Sequence, residues 1–344
     1  MFSRLFQPRR YGSAEAWELH RLFPSIDLHV DTLMWAQGWR YDLTQRHRLH
    51  LPRSAWVGHI DLPRLKEIGA SAQFFCISTA PFRRRGLYRL AHAQIDQLMA
   101  ACYDQPQHII LMRGLNDLHR AQTKGAMAAI LSIEGAHFLE GRIENLQRLV
   151  QRGVRSLGLV HFTPNEAAYP NYGLGATNDK CLTDFGRQLI DECNRLGVIV
   201  DLAHVNLCGF MEACVLSRQP VIVSHTGISS VYRHPRNISD RQLRAVADTG
   251  GVIGVMYEPR YLGGRDIGAV LRHLRRVIKV AGEEHVALGS DFDGMIVPVR
   301  GLEHVAKLPN LTDAMLKAGW SAERIGRILC QNIQRVLQDV LPSK

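Results

Sequence analysis

The sequence predicts an α/β protein, a (β/α)8 TIM barrel with an N-terminal extension and C-terminal helices. Eight short apolar runs alternate with helix-like stretches, as expected for parallel strands joined by helices. The chain has 344 residues, 46% of them hydrophobic, which is enough for a large buried core. No low-complexity linker interrupts it. We therefore expect a single domain over residues 1–344, with the barrel core at about 25–300 and C-terminal helices at about 310–339.

The number of predicted strands is the number that closes a barrel. The strands span residues 25–31, 71–79, 128–135, 154–161, 198–204, 220–225, 251–257 and 286–292. Helix-like stretches lie between them at residues 87–103, 141–152, 182–196, 206–217, 239–249 and 265–281. Thr183 and Ser239 have the residue types of helix N-caps. Asn310 and Ser321 are expected to begin the last two helices, 310–318 and 321–339, which would pack outside or beneath the barrel.

Six of the apolar runs end on residues that can bind a divalent metal or move a proton. The residues at these ends are His29, Asp31, Glu134, His161, His204, His225 and Asp291. In (β/α)8 barrels the C-terminal ends of the strands meet on one face, and metal-hydrolase sites are assembled there. Imidazoles and carboxylates in this number are typical of a zinc-type site that activates a water molecule.

The alternation of side chains along a strand refines this prediction. Asp27, His29 and Asp31 share one face, so His29 and Asp31 would hold one ion if that face is the barrel interior. Asp27 would lie deeper, either as a residue that supports the site or as a buried carboxylate with its own hydrogen bonds. On its own strand His204 would face the interior, so Asp201 would point toward the helices as a structural hydrogen-bond acceptor.

The charge of the chain limits its partners. The 42 Lys and Arg residues exceed the 32 Asp and Glu residues, which gives a net charge of +10. Apart from Arg40 to His50 and Arg83 to Arg85, the basic residues are spread over helix faces, and no nucleic-acid-binding motif accompanies them. We expect solvated surfaces, no nucleic-acid partner, and a positive rim that could attract carboxylate-bearing substrates.

The seven Cys residues include no C-x-x-C pair, which predicts reduced thiols packed as small core residues. The N-terminus lacks an apolar run typical of a signal peptide, and no later run approaches ~18 apolar residues. We therefore expect a cytoplasmic protein without stable membrane insertion. A homodimer is left open.

A series of short motifs follows in order along nearly the whole chain. They are D-L-H-V-D at 27–31, D-L-P-R-L at 61–65, A-Q-F-F at 72–75, S-I-E-G-A-H at 132–137, V-D-L-A-H-V at 200–205, P-V-I-V-S-H at 220–225, R-N-I-S-D at 236–240, G-S-D-F-D-G at 289–294 and Q-N-I-Q-R-V at 331–336. Each motif is weak alone, whereas the ordered set is specific. In this set the chain resembles the renal (membrane) dipeptidase family of dinuclear zinc peptidases, within the amidohydrolase-like metal hydrolases.

The resemblance implies two Zn2+ ions per chain. One would be held by His29, Asp31 and a bridging Glu134, and the other by Glu134, His204 and His225. Two ions about 3.5–4 Å apart can bridge a hydroxide that attacks the peptide carbonyl, so no protein nucleophile is needed. Mn or Co could occupy the same ligands.

The resemblance also implies that His161, Arg236 and Asp291 contact substrate and handle protons. Asp291 could take the proton of the water and return it to the leaving amine. His161 could stabilise the oxyanion, and Arg236 could bind the terminal carboxylate of a dipeptide. Arg233 is a rival for the carboxylate, and for Tyr257 substrate contact and packing are both open.

Other polar residues near these motifs are expected to be structural. Ordinary hydrogen-bonded side chains are expected at His47, His50, His59 and His137, and the turn after Asp291 is expected to be shaped by Asp293 and Gly294. Residues 36–60 lack periodicity and should lie over the mouth of the barrel. Val30, the stretch H-F-T-P-N-E-A-A-Y-P and this loop depart from the family pattern, which leaves the substrate less certain than the catalysis.

The sequence therefore predicts a dinuclear zinc dipeptidase that hydrolyses short peptides with a free C-terminal carboxylate. A related hydrolase of another small amide, lactam or N-acyl amino acid would keep the same ligands and change only the pocket. An inactive metal-binding scaffold is the third alternative. Dipeptide turnover and metal content distinguish the three.

Overall fold

Parallel strands form one sheet in the computed structural model, which describes residues 11–35, 41–47, 55–80, 83 and 85–343. In the described part of the chain the strands are β1 Ile26–Val30, β2 Ala72–Ile77, β3 Ile109–Leu111, β4 Met127–Ile133, β5 Val154–Gly158, β6 Ile199–Asp201, β7 Ile222–Thr226, β8 Val252–Val255 and β9 Val286–Leu288.

The sheet closes on itself. β2 pairs with both β1 and β4, and β1 also pairs with β9. Eight of the strands listed above thus form a ring, and β3 lies beside the first half of β4. The predicted (β/α)8 barrel is confirmed, and each of the eight predicted strands is present, most of them shorter than expected.

Helices surround the ring. Those of the described residues are α1 Ala14–Leu22, α2 Leu62–Glu67, α3 Leu87–Asp104, α4 Leu115–Lys124, α5 Ile143–Gln151, α6 Asp184–Leu196, α7 Leu207–Leu216, α8 Asp240–Asp248, α9 Pro259–Leu262, α10 Ile267–Ala281, α11 Leu308–Lys317, α12 Ala322–Gly326 and α13 Asn332–Val340. One helix over 321–339 was expected, but a π-helical segment at Arg327–Gln331 separates α12 from α13. No helix in the described residues is long and apolar enough to span a bilayer.

Side-chain caps define several helix starts. The Thr183 hydroxyl accepts a hydrogen bond from the Gly186 amide, and Ser239 forms a reciprocal capping box with Gln242. Ser321 also caps as expected. The prediction for Asn310 is wrong, because α11 begins earlier, at Leu308, with a proline in its first turn, and the Asn310 amide instead donates to the Gly301 carbonyl.

The C-terminal helix lies at the end of the barrel opposite the predicted site. Gly197 immediately precedes β6, and a Cβ added there would lie 2.9 Å from the Val340 carbonyl oxygen. Ile333 and Val336 join a buried apolar cluster that includes strand residues such as Ile222. The C-terminal segment therefore packs beneath the barrel and leaves the C-terminal ends of the strands accessible.

Two cysteines are not reduced thiols. Cys181 and Cys208 form a disulfide, with their Cα atoms 4.7 Å apart. The Asn206 side chain caps α7 and donates to the Lys180 carbonyl, which brings the segment before α6 against the start of α7. The expectation of seven reduced thiols is therefore wrong for this pair. Their separation of 27 residues in sequence concealed the contact.

Candidate metal centre

The predicted site residues converge at the C-terminal ends of the strands. β1 carries His29, β7 carries His225, and the other residues follow β1, β4, β5, β6 and β9: Asp31, Glu134, His161, His204 and Asp291. All are buried except His161, which is partly exposed. Residues separated by up to 262 positions thus form one polar cluster inside an apolar barrel.

Glu134 lies at the centre of this cluster. Its Oε1 atom is 3.2 Å from His204 Nε2 and 3.6 Å from Nε2 of both His29 and His225. Its Oε2 atom is 3.5 Å from His161 Nε2. One carboxylate therefore faces four imidazoles drawn from four strands.

Both predicted ligand sets are close together. His29 Nε2 lies 3.5 Å from Asp31 Oδ2 and 4.0 Å from Asp291 Oδ1. The Nε2 atoms of His204 and His225, which face the same Glu134 oxygen as His29, are 2.9 Å apart. The arrangement brings together every residue that was predicted as a metal ligand.

The donor atoms of the cluster fit a cation. Among the described residues, His29 Nε2 and Asp31 Oδ1 are buried and have no hydrogen-bond partner. Buried polar atoms are normally paired, so convergent unpaired nitrogens and oxygens are suited to bind a positive ion. Candidate ligand groups with atoms within 4.8 Å are His29, Glu134 and His225; Glu134, His161 and His204; and His29, Asp31 and Cys76.

Those groups differ from the predicted sets in three ways: they include Cys76, they include His161, and they place His225 with His29 and not with His204. The Cys76 sulfur lies 3.2 Å from Nδ1 of His29, the nitrogen that faces away from Glu134. Burial raises the pKa of the Cys76 thiol to about 12, and its sulfur contacts Nδ1 and not the Nε2 atom that faces Glu134. We regard Cys76 as a neighbour of His29.

A hydrogen-bond chain beneath the site orients His225. The Ser224 hydroxyl donates to Asp201 Oδ2 at 2.5 Å and lies 2.9 Å from His225 Nδ1. Because the hydroxyl proton is used on Asp201, its oxygen accepts from Nδ1–H of His225. The Nε2 lone pair of His225 then faces Glu134, as metal binding requires.

This contact corrects the predicted direction of Asp201. Its carboxylate points into the barrel and not toward the helices, although it is the expected hydrogen-bond acceptor. Strict alternation fails because β6 ends at Asp201, and His204 reaches the site from the following turn with a φ of 67°. Asp27 lies where expected and accepts from the His29 and Ser290 amides.

The backbone is strained at two of the site residues. His204 and Asp291 have φ values of 67° and 64°, in the left-handed region that side chains disfavour. Strain of this kind persists where the surroundings enforce it and is concentrated at functional sites. Gly294 follows closely, and a Cβ there would lie 2.3 Å from Asp291 Oδ1 and 2.7 Å from Asp31 Oδ2.

At His29 and Asp31 the effect of burial is outweighed by neighbouring groups, including their mutual attraction, so the pKa of His29 is raised and that of Asp31 is lowered. Burial controls the protonation of the rest of the cluster. It lowers the pKa of His204 and His225 well below the ordinary value and that of His161 to about 3, so these imidazoles are neutral near pH 7. It raises the pKa of Glu134 and Asp291 well above the ordinary range. Buried carboxylates in this state favour a bound cation, which would restore their charged form.

A cavity of about 390 Å³ opens above the cluster. Arg236 lines it, with Nη2 donating to the His225 carbonyl at 2.9 Å. Its buried Nη1 has no hydrogen-bond partner among the described residues. Arg233 is exposed and does not line the cavity. The free Nη1 of a fixed guanidinium is suited to a carboxylate.

The structure does not bring Tyr257 to this cavity, because its buried ring packs edge-on against Phe292. Sequence reasoning missed Tyr172, which lines the cavity from a loop, and Arg260 and Tyr261, which line it from the short helix α9. Only their position shortly after a predicted strand could have indicated them.

The residues expected to be structural have ordinary partners. His137 Nε2 lies 2.8 Å from the Thr163 carbonyl, and His47 Nε2 lies 2.7 Å from the Asp42 carbonyl. Asp293 accepts from the Gly58 and His59 amides and thereby fixes the end of the 36–60 segment. His50 and much of that segment lie outside the described residues.

A closed barrel whose strand ends bring four imidazoles and three carboxylates into one buried cluster defines a metal-dependent hydrolase. Residues 13–343 match the model of the membrane dipeptidase family, peptidase family M19, and the chain belongs to this family of metal-dependent peptidases.

Known proteins of similar sequence and structure agree with this assignment. The chain is 29% identical over 343 residues to the dipeptidase aclJ of Aspergillus oryzae, covering 92% of this chain and 78% of that protein. The structure of dipeptidase AC, a metallopeptidase of family M19, superposes with a TM-score of 0.82 at 28% identity, over 93% of this chain and 99% of that one. A metallopeptidase from Rhodobacter sphaeroides, solved with a phosphinate mimic of the dipeptide L-Ala-D-Ala, gives a TM-score of 0.81 at 27% identity over 92% and 99% of the two chains.

Proposed function

We propose that this protein hydrolyses the peptide bond of dipeptides with a free C-terminal carboxylate, with two Zn2+ ions per chain. The observation that carries the proposal is the position of Glu134, whose two oxygens face the Nε2 atoms of four histidines at 3.2 to 3.6 Å. A bridging carboxylate is required wherever two cations are held side by side, because it reduces their mutual repulsion.

The proposed ligands form two sets that share Glu134. His29 and Asp31 would hold one ion together with Glu134, and His204 and His225 would hold the other. When bound, the ions supply an activated water as nucleophile and polarise the scissile carbonyl. Imidazole and carboxylate donors in this number fit zinc, and Mn or Co would bind the same atoms less selectively.

Asp291 is the proposed general base and acid. Its carboxylate lies beside the cluster, 4.0 Å from His29 Nε2, and lines the cavity above it. In its ionised form Asp291 would accept the proton of the attacking water and then deliver it to the departing amine. Gly294 lacks the side chain that would collide with this carboxylate, which leaves it room to act.

His161 and Arg236 would position the substrate. The neutral His161 imidazole can donate one N–H to the developing oxyanion without carrying a charge of its own. Arg236 presents Nη1 to the cavity while its Nη2 is fixed on the His225 carbonyl, so it can hold the terminal carboxylate at a set distance from the peptide bond. Substrates without that carboxylate would lose this contact.

The first competitor is hydrolysis of another small amide, lactam or N-acyl amino acid, since these would use the same ligands. The dipeptide mimic bound to the Rhodobacter sphaeroides protein favours a dipeptide and suggests D-residues among the substrates to be tested. An inactive metal-binding scaffold is disfavoured by the complete ligand set together with Asp291.

The test is hydrolysis of a library of L,L- and L,D-dipeptides, with metal content measured on the same sample. Turnover of several dipeptides with about two zinc ions per chain is the expected result. Two bound metal ions without dipeptide turnover would indicate that the substrate is another small amide. No bound metal after zinc addition would overturn the site itself.

A further inference from the structure

A second cavity adjoins the active-site cavity. It measures about 600 Å³ and shares Arg260 and Met295 with the cavity above the metal cluster. Arg265 and Arg300 line it as well, with the Trp56 side chain on one side. A substrate held over the cluster could therefore extend into a space that contains three arginines.

The charge of this space is positive. Arg260 is neutralised by the buried Glu258, with its Nε and Nη2 atoms 2.9 and 3.3 Å from the two carboxylate oxygens. Arg265 and Arg300 are exposed, and neither forms a salt bridge with an acidic residue of the described chain. Two cationic groups remain available in the described lining, which disfavours an amino group and favours an anion.

The two available arginines have a fixed relative position. The Arg300 amide donates to the Arg265 carbonyl at 2.9 Å, and Asp266 and Arg300 form an isolated parallel bridge. The adjacent Val299 amide donates to the Tyr257 carbonyl at the end of β8. Because their backbones are bound to each other and to the barrel, only the side chains, and not the chain segments that carry them, have to order around a ligand.

The remaining wall is apolar. Trp56, Met295 and Val297 expose 54%, 45% and 46% of their surfaces, which is unusual for large apolar side chains. Such a wall can pack against the methylene groups of a side chain whose charged end reaches the arginines. Guanidinium groups bind planar carboxylates with two parallel hydrogen bonds, so a carboxylate is the anion that suits this site.

We propose that Arg265 and Arg300, the arginine subsite, bind a second carboxylate of the substrate, so that the enzyme prefers dipeptides with an acidic side chain. The inference rests on the proposed dipeptidase function. In the bound dipeptide, Arg236 would bind the main-chain carboxylate and the arginine subsite would bind the side-chain carboxylate.

The test compares kcat/KM for matched pairs of dipeptides in which only the charge differs. The pairs are Glu-Ala with Gln-Ala and Ala-Glu with Ala-Gln, each with L- and D-configuration at the second residue. For at least one pair we expect the Glu substrate to be preferred about tenfold. The preference should decrease as ionic strength rises.

Substitutions of the two arginines test whether the preference for Glu over Gln substrates arises from the arginine subsite. Arg265→Gln with Arg300→Gln should bring the Glu-to-Gln ratio close to one, and each single change should lower it partly. Arg244→Gln removes the same charge from the exposed surface of α8, which lines neither cavity, and should keep the parental ratio. Circular dichroism checks that each variant is folded.

Three outcomes would overturn the inference. Equal turnover of Glu and Gln substrates by the parent enzyme would refute the arginine subsite but would leave the proposed dipeptidase function unaffected. A Glu preference that survives the double substitution would place its origin elsewhere. If no dipeptide is hydrolysed by protein with two bound zinc ions, the proposed function fails and the substrate assignment of the subsite fails with it.

Discussion

Replacement of Glu134 by Gln tests the metal centre most directly. The change substitutes an amide for one carboxylate oxygen at nearly constant volume. Glu134 Oε1 lies within 3.6 Å of imidazoles from both predicted ligand sets, so Glu134 would be a ligand common to both. We therefore expect Glu134→Gln to weaken both sites and not only one.

The size of the effect follows from ligand loss. Changes to residues that merely support a ligand reduce metal affinity 10- to 100-fold, so loss of the bridging ligand should cost at least ~100-fold at each site. For the protein with both ions bound this amounts to ~10⁴-fold, or about 5.5 kcal/mol. Burial already raises the pKa of Glu134, so a neutral amide should not destabilise the metal-free fold.

Equilibrium dialysis against buffered zinc, followed by elemental analysis, measures this loss without reference to activity. Glu212→Gln is the matched control, because this partly buried glutamate pairs with Arg187 and does not line the cavity. The control should bind as many ions as the parent protein. If Glu134→Gln bound two zinc ions with affinities within threefold of the parent, the bridging role would be refuted.

Three further predictions concern single side chains. Asp291→Asn should keep its metal but lose about 10²- to 10⁴-fold in kcat, and full activity with metal retained would remove Asp291 from proton transfer. Arg236→Ala should raise KM chiefly for dipeptides with a free carboxylate, whereas equal losses on amidated dipeptides would argue against a carboxylate contact. Burial lowers the pKa of His20, whose Nε2 lies 3.0 Å from Thr312 Oγ1, to about 4, so the unfolded chain binds a proton more readily than the native protein. The contribution of His20 to stability should be complete above pH 6.5 and should decrease by about 3 kcal/mol between pH 6.5 and 4, so His20→Gln, measured by urea unfolding, should make the decline of stability in this range less steep by that amount.

The positions of the site residues could be predicted because each strand combines an apolar run with a polar end. Parallel strands of a barrel place such ends together regardless of the loops between them. His29, Glu134 and His225 were found in this way. The direction of Asp201 could not be predicted, because the strand ends there and a turn, not alternation, carries His204 into the site.

Other features left little signal in the sequence. β3 has only three residues and pairs along one short section of β4. A strand this short shows no recognisable alternation of apolar and polar residues in the sequence. The Cys181–Cys208 contact depends on how two loops meet, which local propensity does not encode. The arginine subsite likewise joins residues from separate loops around β8 and β9.

The left-handed backbone at Asp291 has a consequence for how this barrel can lose its activity. A side chain in that conformation costs roughly 1–2 kcal/mol relative to glycine. Asp291→Gly would therefore relax the turn while removing the proposed base. Random substitution and selection for thermal stability alone would tend to drift toward such inactive barrels. In the proposed function the carboxylate at this position thus serves turnover and not folding.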